Sequence, residues 1–169
     1  MSPVSLRNSI QGVIKEALKA HDDVRAGTLR FLFASIINKE KEKRYKISKE
    51  KPNLSQEQLA KQSELQDQEV LDVIVSEAKK HRESIEAFEK GGRKDLVGKE
   101  QKELAILQGY LPEQLSEKEM RVLVQEAITA TSATSTQDIG KVMAVLMPKV
   151  KGRADGALVN KIVKELLTS

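Results

Sequence analysis

The 169-residue chain contains no cysteine. Disulfides, zinc–thiolate sites and thiol nucleophiles are excluded at once. Tryptophan is also absent, and only five residues are aromatic: Phe31, Phe33, Tyr45, Phe88 and Tyr110. A core drawn from Leu, Ile, Val and Ala with so few rings points to helices rather than a sheet. His21 and His81 lie sixty residues apart and give no local basis for a histidine metal cluster. No apolar run approaches the roughly 18 residues that a membrane span needs. Met1–Leu6 have neither a signal-peptide core nor an Arg-rich transit pattern, so a cytoplasmic protein without membrane attachment is expected. What the chain does have is 39% hydrophobic and 32% charged residues. Its length suits one domain or two small ones.

The net charge of +4 is unevenly distributed. Residues 141–169 carry Lys141, Lys149, Lys151, Arg153, Lys161 and Lys164 against Asp155 and Glu165, which accounts for the whole excess. Residues 1–140 therefore balance, yet they too are segregated: 25–51 are basic and 52–89 acidic. Those two stretches can lie antiparallel and neutralise each other at their surfaces. The C-terminal segment has no such acidic counterpart nearby, so its charge is expected to face a partner.

Apolar residues recur with helical spacing throughout. Leu6, Ile10, Val13, Ile14, Ala17 and Leu18 form one stripe, which His21-Asp22-Asp23 interrupts. Leu29, Leu32, Phe33, Ile36 and Ile37 form a second, running into the charged stretch 38–46, with a loop expected around Ser48–Leu54. Ser55 and Gln58 have capping-box spacing and predict one long third helix, ended by Gly91-Gly92. Asp95 opens a fourth, giving an N-terminal four-helix bundle over residues 1–111. Pro112 then disfavours helix at Leu111, while Ser116 and Glu119 supply a fresh capping box. Three short helices are expected within 112–169: one through Ile128, one through Leu146 that stops before Pro148, and a last one capped by Asp155. Between the first two, Thr129–Thr136 reads as a polar connector. The fold class is all-α, in two units.

Few residues suggest catalysis. Glu77 and His81, at i and i+4, are best explained as a surface ion pair, having no second ligand or motif beside them. Gly91-Gly92 lacks both a phosphate-loop frame and a preceding strand. No nucleophile elbow accompanies the hydroxyls, and no cofactor or metal is implied. The segment Met147–Asn160 is different. Lys149, Lys151 and Arg153 fall in a turn ahead of a helix N-terminus, where unpaired N–H groups favour anions. Gly152 and Gly156 permit close backbone approach, and Lys141 and Lys161 flank the turn. Such a site suits a phosphate backbone read by charge rather than by base. An ordinary exposed basic turn would have the same composition.

The same residues carry a family likeness. Tyr110-Leu-Pro-Glu-Gln-Leu-Ser116, Ile139-Gly-Lys-Val-Met143, Met147-Pro-Lys-Val-Lys-Gly-Arg-Ala-Asp-Gly156 and Leu158-Val-Asn-Lys161 resemble the signature of the YqeY family. Phe88–Val97, Glu100–Leu104 and the Leu29–Glu40 helix resemble it more weakly. The resemblance implies a helical N-terminal domain followed by a three-helix domain similar to the C-terminal tail of GatB, a subunit of tRNA-dependent amidotransferases. It brings with it the family-level description of a carbon–nitrogen ligase with glutamine as amido-N-donor. In those enzymes the chemistry belongs to a separate catalytic cradle and an amidase subunit, and this chain resembles neither. What the shared domain implies is tRNA binding. The expected function is a non-catalytic tRNA- or RNA-binding accessory module, acting alone or beside an amidotransferase or another protein. A protein-interaction adaptor working through the N-terminal bundle is the alternative.

Overall fold

The computed structural model describes residues 5–168, and among these every regular element is a helix. Met1–Val4, part of the stretch read for leader signals, and Ser169 lie outside the described residues. Contacts group the chain into two units, Met1–Tyr110 and Leu111–Ser169.

In the first unit, α1 (Leu6–Lys19) begins at Ser5, whose hydroxyl accepts the Asn8 N–H, and it buries Ile10 and Ala17. His21 takes a left-handed conformation (φ 56°), and the Asp22 carboxylate then accepts the Arg25 N–H to start α2 (Asp23–Glu50). The central helix of the unit is α2, which packs on α1, α3 (Gln56–Ser63), α4 (Asp67–Lys90) and α5 (Lys94–Gln108). Its first half buries Leu29, Leu32 and Ile36. The charged second half continues as helix because Lys, Glu and Arg are good helix formers, supported by a Lys39–Glu42 pair at 2.9 Å. It stops where Pro52 disfavours helix at Lys51, so the expected loop loses its first residues to α2.

The expected third helix is in fact two. The Ser55–Gln58 capping box is formed, but it opens only the eight-residue α3. Glu64 turns extended, Leu65 drops into the core at 3% exposure, and a second capping box, Gln66 with Glu69, starts α4. Tertiary contacts hold the break open. The Glu40 carboxylate accepts the Leu65 N–H at 3.2 Å while pairing with Arg7 at 2.8 Å. Lys43 Nζ bonds both the Glu64 carbonyl and the Glu69 carboxylate. That last bond joins the basic and acidic stretches directly and, with the Gln66 backbone, holds the Glu69 carboxyl below its ordinary range. The unit is thus a five-helix assembly among the described residues, not the four-helix bundle expected.

The second unit is built from α6 (Glu117–Thr131), a single 3-10 turn (Thr136–Asp138), α7 (Ile139–Val150) and α8 (Gly156–Thr168). Met120, Val124 and Ala127 of α6, Val142, Leu146 and Val150 of α7, and Val159, Ile162 and Val163 of α8 make one core. Ser116 and Glu119 form the expected capping box. Pro148 does not end α7. The helix continues to Val150, which is 1% exposed, and Lys151 N–H closes on the Met147 carbonyl at 3.0 Å. Burying Val150 offsets the hydrogen bond that Pro148 cannot donate.

The polar connector Thr129–Thr136 is also better ordered than its composition suggests. Ser132 caps α6 in a left-handed conformation, Ala133 is buried, and the Thr134 N–H donates to Asp138. Brief digestion with a nonspecific protease should therefore cut at Lys51–Leu54 and Gly109–Pro112 well before Thr129–Thr136, as peptide mapping would reveal. First cleavage inside Thr129–Thr136 would show that these bonds do not hold the connector.

Candidate nucleic-acid interface

The basic segment is positioned by the core beneath it. Val150 closes α7 and Val159 anchors the first turn of α8, each at 1% exposure or less, so the intervening turn Lys151–Ala154 has fixed ends. Gly152 sits at φ 75°, where a side chain would be strained. The turn is then clasped from outside by Glu113, Gln114 and Leu115. Leu115 N–H donates to the Arg153 carbonyl at 2.7 Å, Gln114 Nε2 to the Gly152 carbonyl at 2.7 Å, and Arg153 Nε to the Glu113 carbonyl at 3.3 Å. Two of the signature segments, Tyr110–Ser116 and Met147–Gly156, therefore form one hydrogen-bonded structure. The clasp residues lie inside a motif visible in the sequence, but their contact spans 38 residues and has no local signal.

The candidate binding residues fall into two groups. Lys149, Lys151, Gly152, Arg153 and Gly156 surround the α7–α8 turn. Lys149 belongs to the last turn of α7 rather than to the basic turn, because α7 runs past Pro148. It is exposed and makes no ion pair among the described residues; Lys151 is exposed as well. Arg153 is half-buried, and its charge helps to keep the Glu119 carboxyl below its ordinary range, behind the larger effect of hydrogen bonds from Ser116. Lys141 stands apart, two turns earlier on α7 or about 12 Å along the axis. It pairs with Asp138 at 2.9 Å, which lowers the Asp138 pKa and raises its own. Lys161 is in the second turn of α8, 4.0 Å from Glu165.

The N-terminus of α8 is occupied by its own cap. One Asp155 carboxylate oxygen accepts the N–H groups of Ala157 at 2.8 Å and Leu158 at 3.3 Å. Asp155 thus caps the helix as its position predicts, and the helix N–H groups expected to meet a phosphate are partly satisfied internally. The charge of the segment resides in its side chains.

Glu77 and His81 do not form the pair that their spacing suggests. Glu77 holds Lys80 at 2.8 Å, whereas His81 Nδ1 lies 2.7 Å from Glu100 and 3.7 Å from Glu103, both on α5. Helical spacing shows neighbours on one helix, and the α4–α5 hairpin supplies others.

Residues 38–167 match the family described as Yqey-like protein. The chain belongs to the YqeY family. The match takes in the second half of α2 and every later helix, including both segments of the clasp. The YqeY-family chain is also 30% identical over 161 residues to altered inheritance of mitochondria protein 41, mitochondrial, of Pyrenophora tritici-repentis, covering 94% of the chain and 78% of that relative. The protein of the same name from Eremothecium gossypii is 36% identical over 98 residues, 58% of the chain and 44% of that relative's length. Both relatives are named as mitochondrial, which does not clearly fit the cytoplasmic placement expected from the sequence. No helix among the described residues is long and apolar enough to cross a membrane.

Proposed function

We propose that this YqeY-family chain is a tRNA- or RNA-binding accessory module, related to tRNA-dependent amidotransferases, that touches the sugar–phosphate backbone through Lys149, Lys151 and Arg153. The observation that carries the reading is the clasped α7–α8 turn, which presents clustered cations on a fixed backbone. Phosphate contacts of this kind position a nucleic acid without reading its bases. Asp155 already serves the helix N-terminus, so side-chain charge supplies the attraction. The reading needs an aqueous compartment that holds tRNA. The cytoplasm and the mitochondrial interior both qualify, and the names of the relatives favour the second.

The test is a salt titration against tRNA. Three neutralised phosphates give a log–log slope of about −2 on single strands and nearer −3 on duplex, so affinity should fall roughly 20- to 40-fold between 50 and 200 mM salt. Replacing Lys149, Lys151 and Arg153 together with Ala should abolish most of that slope. A Lys149→Ala/Lys151→Ala variant, which keeps the Arg153–Glu113 hydrogen bond, should lose about two-thirds of it. Circular dichroism controls for folding. A folded triple variant with unchanged affinity and slope would rule out the basic-turn site.

The adaptor alternative has one observation in its favour. Phe31 is 80% exposed and Val24 45% exposed, seven residues apart on one face of α2. A partner bound there would resist salt, and Phe31→Ser would release it without affecting tRNA.

A further inference from the structure

A second site is built in the N-terminal unit, on residues that the RNA reading does not use. Glu100 and Glu103 stand at i and i+3 on α5, so both carboxylates project from one face. His81 of α4 reaches them across the hairpin, with its Nδ1 at 2.7 Å from Glu100 and 3.7 Å from Glu103. The three ligand atoms lie within 4.8 Å of one another. Each side chain retains only about a fifth of its exposure (21%, 19% and 20%), so water screens the two carboxylates incompletely. Two cations, Lys80 and Lys99, line the same space, each drawn to a carboxylate. Lys80 is taken by Glu77 at 2.8 Å, and Lys99, 67% exposed, approaches Glu103 only to 3.9 Å. The cluster opens into a cavity of about 470 Å³ between α2, α4 and α5, walled by Thr28, Phe31 and Leu107 as well as the three ligands.

We propose that His81, Glu100 and Glu103 bind a divalent transition-metal ion whose remaining coordination positions face this cavity. One imidazole nitrogen with two carboxylates is a donor set for Zn²⁺, Mn²⁺, Fe²⁺ or Co²⁺, whereas Mg²⁺ and Ca²⁺ favour oxygen alone. Ligand bonds of about 2.0–2.2 Å place neighbouring donors roughly 3.0–3.4 Å apart, and the observed 2.7 and 3.7 Å bracket that spacing. Only side-chain adjustment is needed. Between Nδ1 and Glu100 the ion replaces a hydrogen-bonded proton. A neutral His81 then exchanges its Nδ1 proton for one on Nε2 through solvent, with no net release, whereas an imidazolium already protonated on Nε2 releases its Nδ1 proton to solvent. Three protein ligands leave positions for water or a small anionic ligand, as catalytic rather than closed structural sites do.

The experiment is calorimetric titration of chelator-stripped full-length protein with Zn²⁺, repeated with Co²⁺ while the visible spectrum is recorded. Wild type should bind one ion saturably and give a Co²⁺ spectrum of mixed nitrogen and oxygen ligation. His81→Gln and Glu103→Gln, each checked by circular dichroism, should weaken binding by at least the 10–100-fold that loss of even an outer-shell partner causes. His21→Gln should bind like wild type. Absence of saturable binding overturns the proposal, as does saturable binding that both ligand variants retain. Should His81→Gln fail to fold, Glu103→Gln decides the matter, because it removes charge while keeping the side chain's shape.

Discussion

Leu146→Ala should destabilise the C-terminal unit by about 2–5 kcal/mol, the range for removing a buried Leu side chain and leaving a cavity. Leu146 has no exposed surface and lies among Val124, Val142, Val150, Val159 and Ile162, contributed by all three helices of the unit. The neighbours are mostly β-branched, with few rotamers, and cannot easily collapse into the space. A unit of about 60 residues buries a smaller fraction of its unfolded surface than a larger domain does and has little stability to spare, so a loss at the upper end would leave it largely unfolded at 37 °C. Hydrogen exchange resolved by peptide would measure this directly. Protection in α6, α7 and α8 should fall, while Leu29, Leu32, Ile36 and Ile74 in the N-terminal core should exchange as slowly as before. Equal loss of protection in both halves would mean that the chain unfolds as one cooperative body.

The other large effect should come from Gly152→Val. A β-branched residue at φ 75° costs about 1–3 kcal/mol in backbone strain. To relieve that strain the turn must give up the Gln114–Gly152 and Leu115–Arg153 hydrogen bonds. The sequence alone casts this substitution as a test of close approach to an anion. With the observed φ it is first a test of folding, and a binding defect in it says nothing about contact with RNA. Gly156→Ala provides the contrast. Its added methyl group meets no atom within 4 Å, and Gly156 is already helical, so thermal unfolding should be unchanged or stabilised by up to about 1 kcal/mol. If Gly152→Val melts like wild type, the left-handed turn is not what holds the segment.

Local grammar accounts for what could be read in advance. Ser55 with Gln58 and Ser116 with Glu119 each satisfy backbone groups three residues away, so both capping boxes are visible in the sequence and both are formed. Apolar spacing likewise marks Ile10, Leu29, Leu32 and Ile36 as core. The features that escape such a reading depend on distant partners. Leu65 breaks a helical pattern because Glu40, twenty-five residues earlier, accepts its N–H. Pro148 remains within α7 because α6 and α8 provide a place to bury Val150. His81 turns from Glu77 to Glu100 and Glu103 because a hairpin brings α5 alongside. At the basic turn the sequence marks the cations but neither the run of α7 past Pro148, which leaves Lys149 on a helix, nor the clasp, which commits Arg153 in part to the Glu113 carbonyl.

The clasp also has a consequence for timing during synthesis. Glu113–Leu115 leave the ribosome long before Gly152–Arg153, and the turn gains fixed ends only once Val159 and Ile162 have packed. Those two residues belong to α8, which follows the turn. A nascent polypeptide therefore carries the lysines of α7 before the turn beside them is clasped, and closing the 38-residue span must await α8. The clasped turn forms only after α8 has been made, so products truncated ahead of α8, however basic, should lack it.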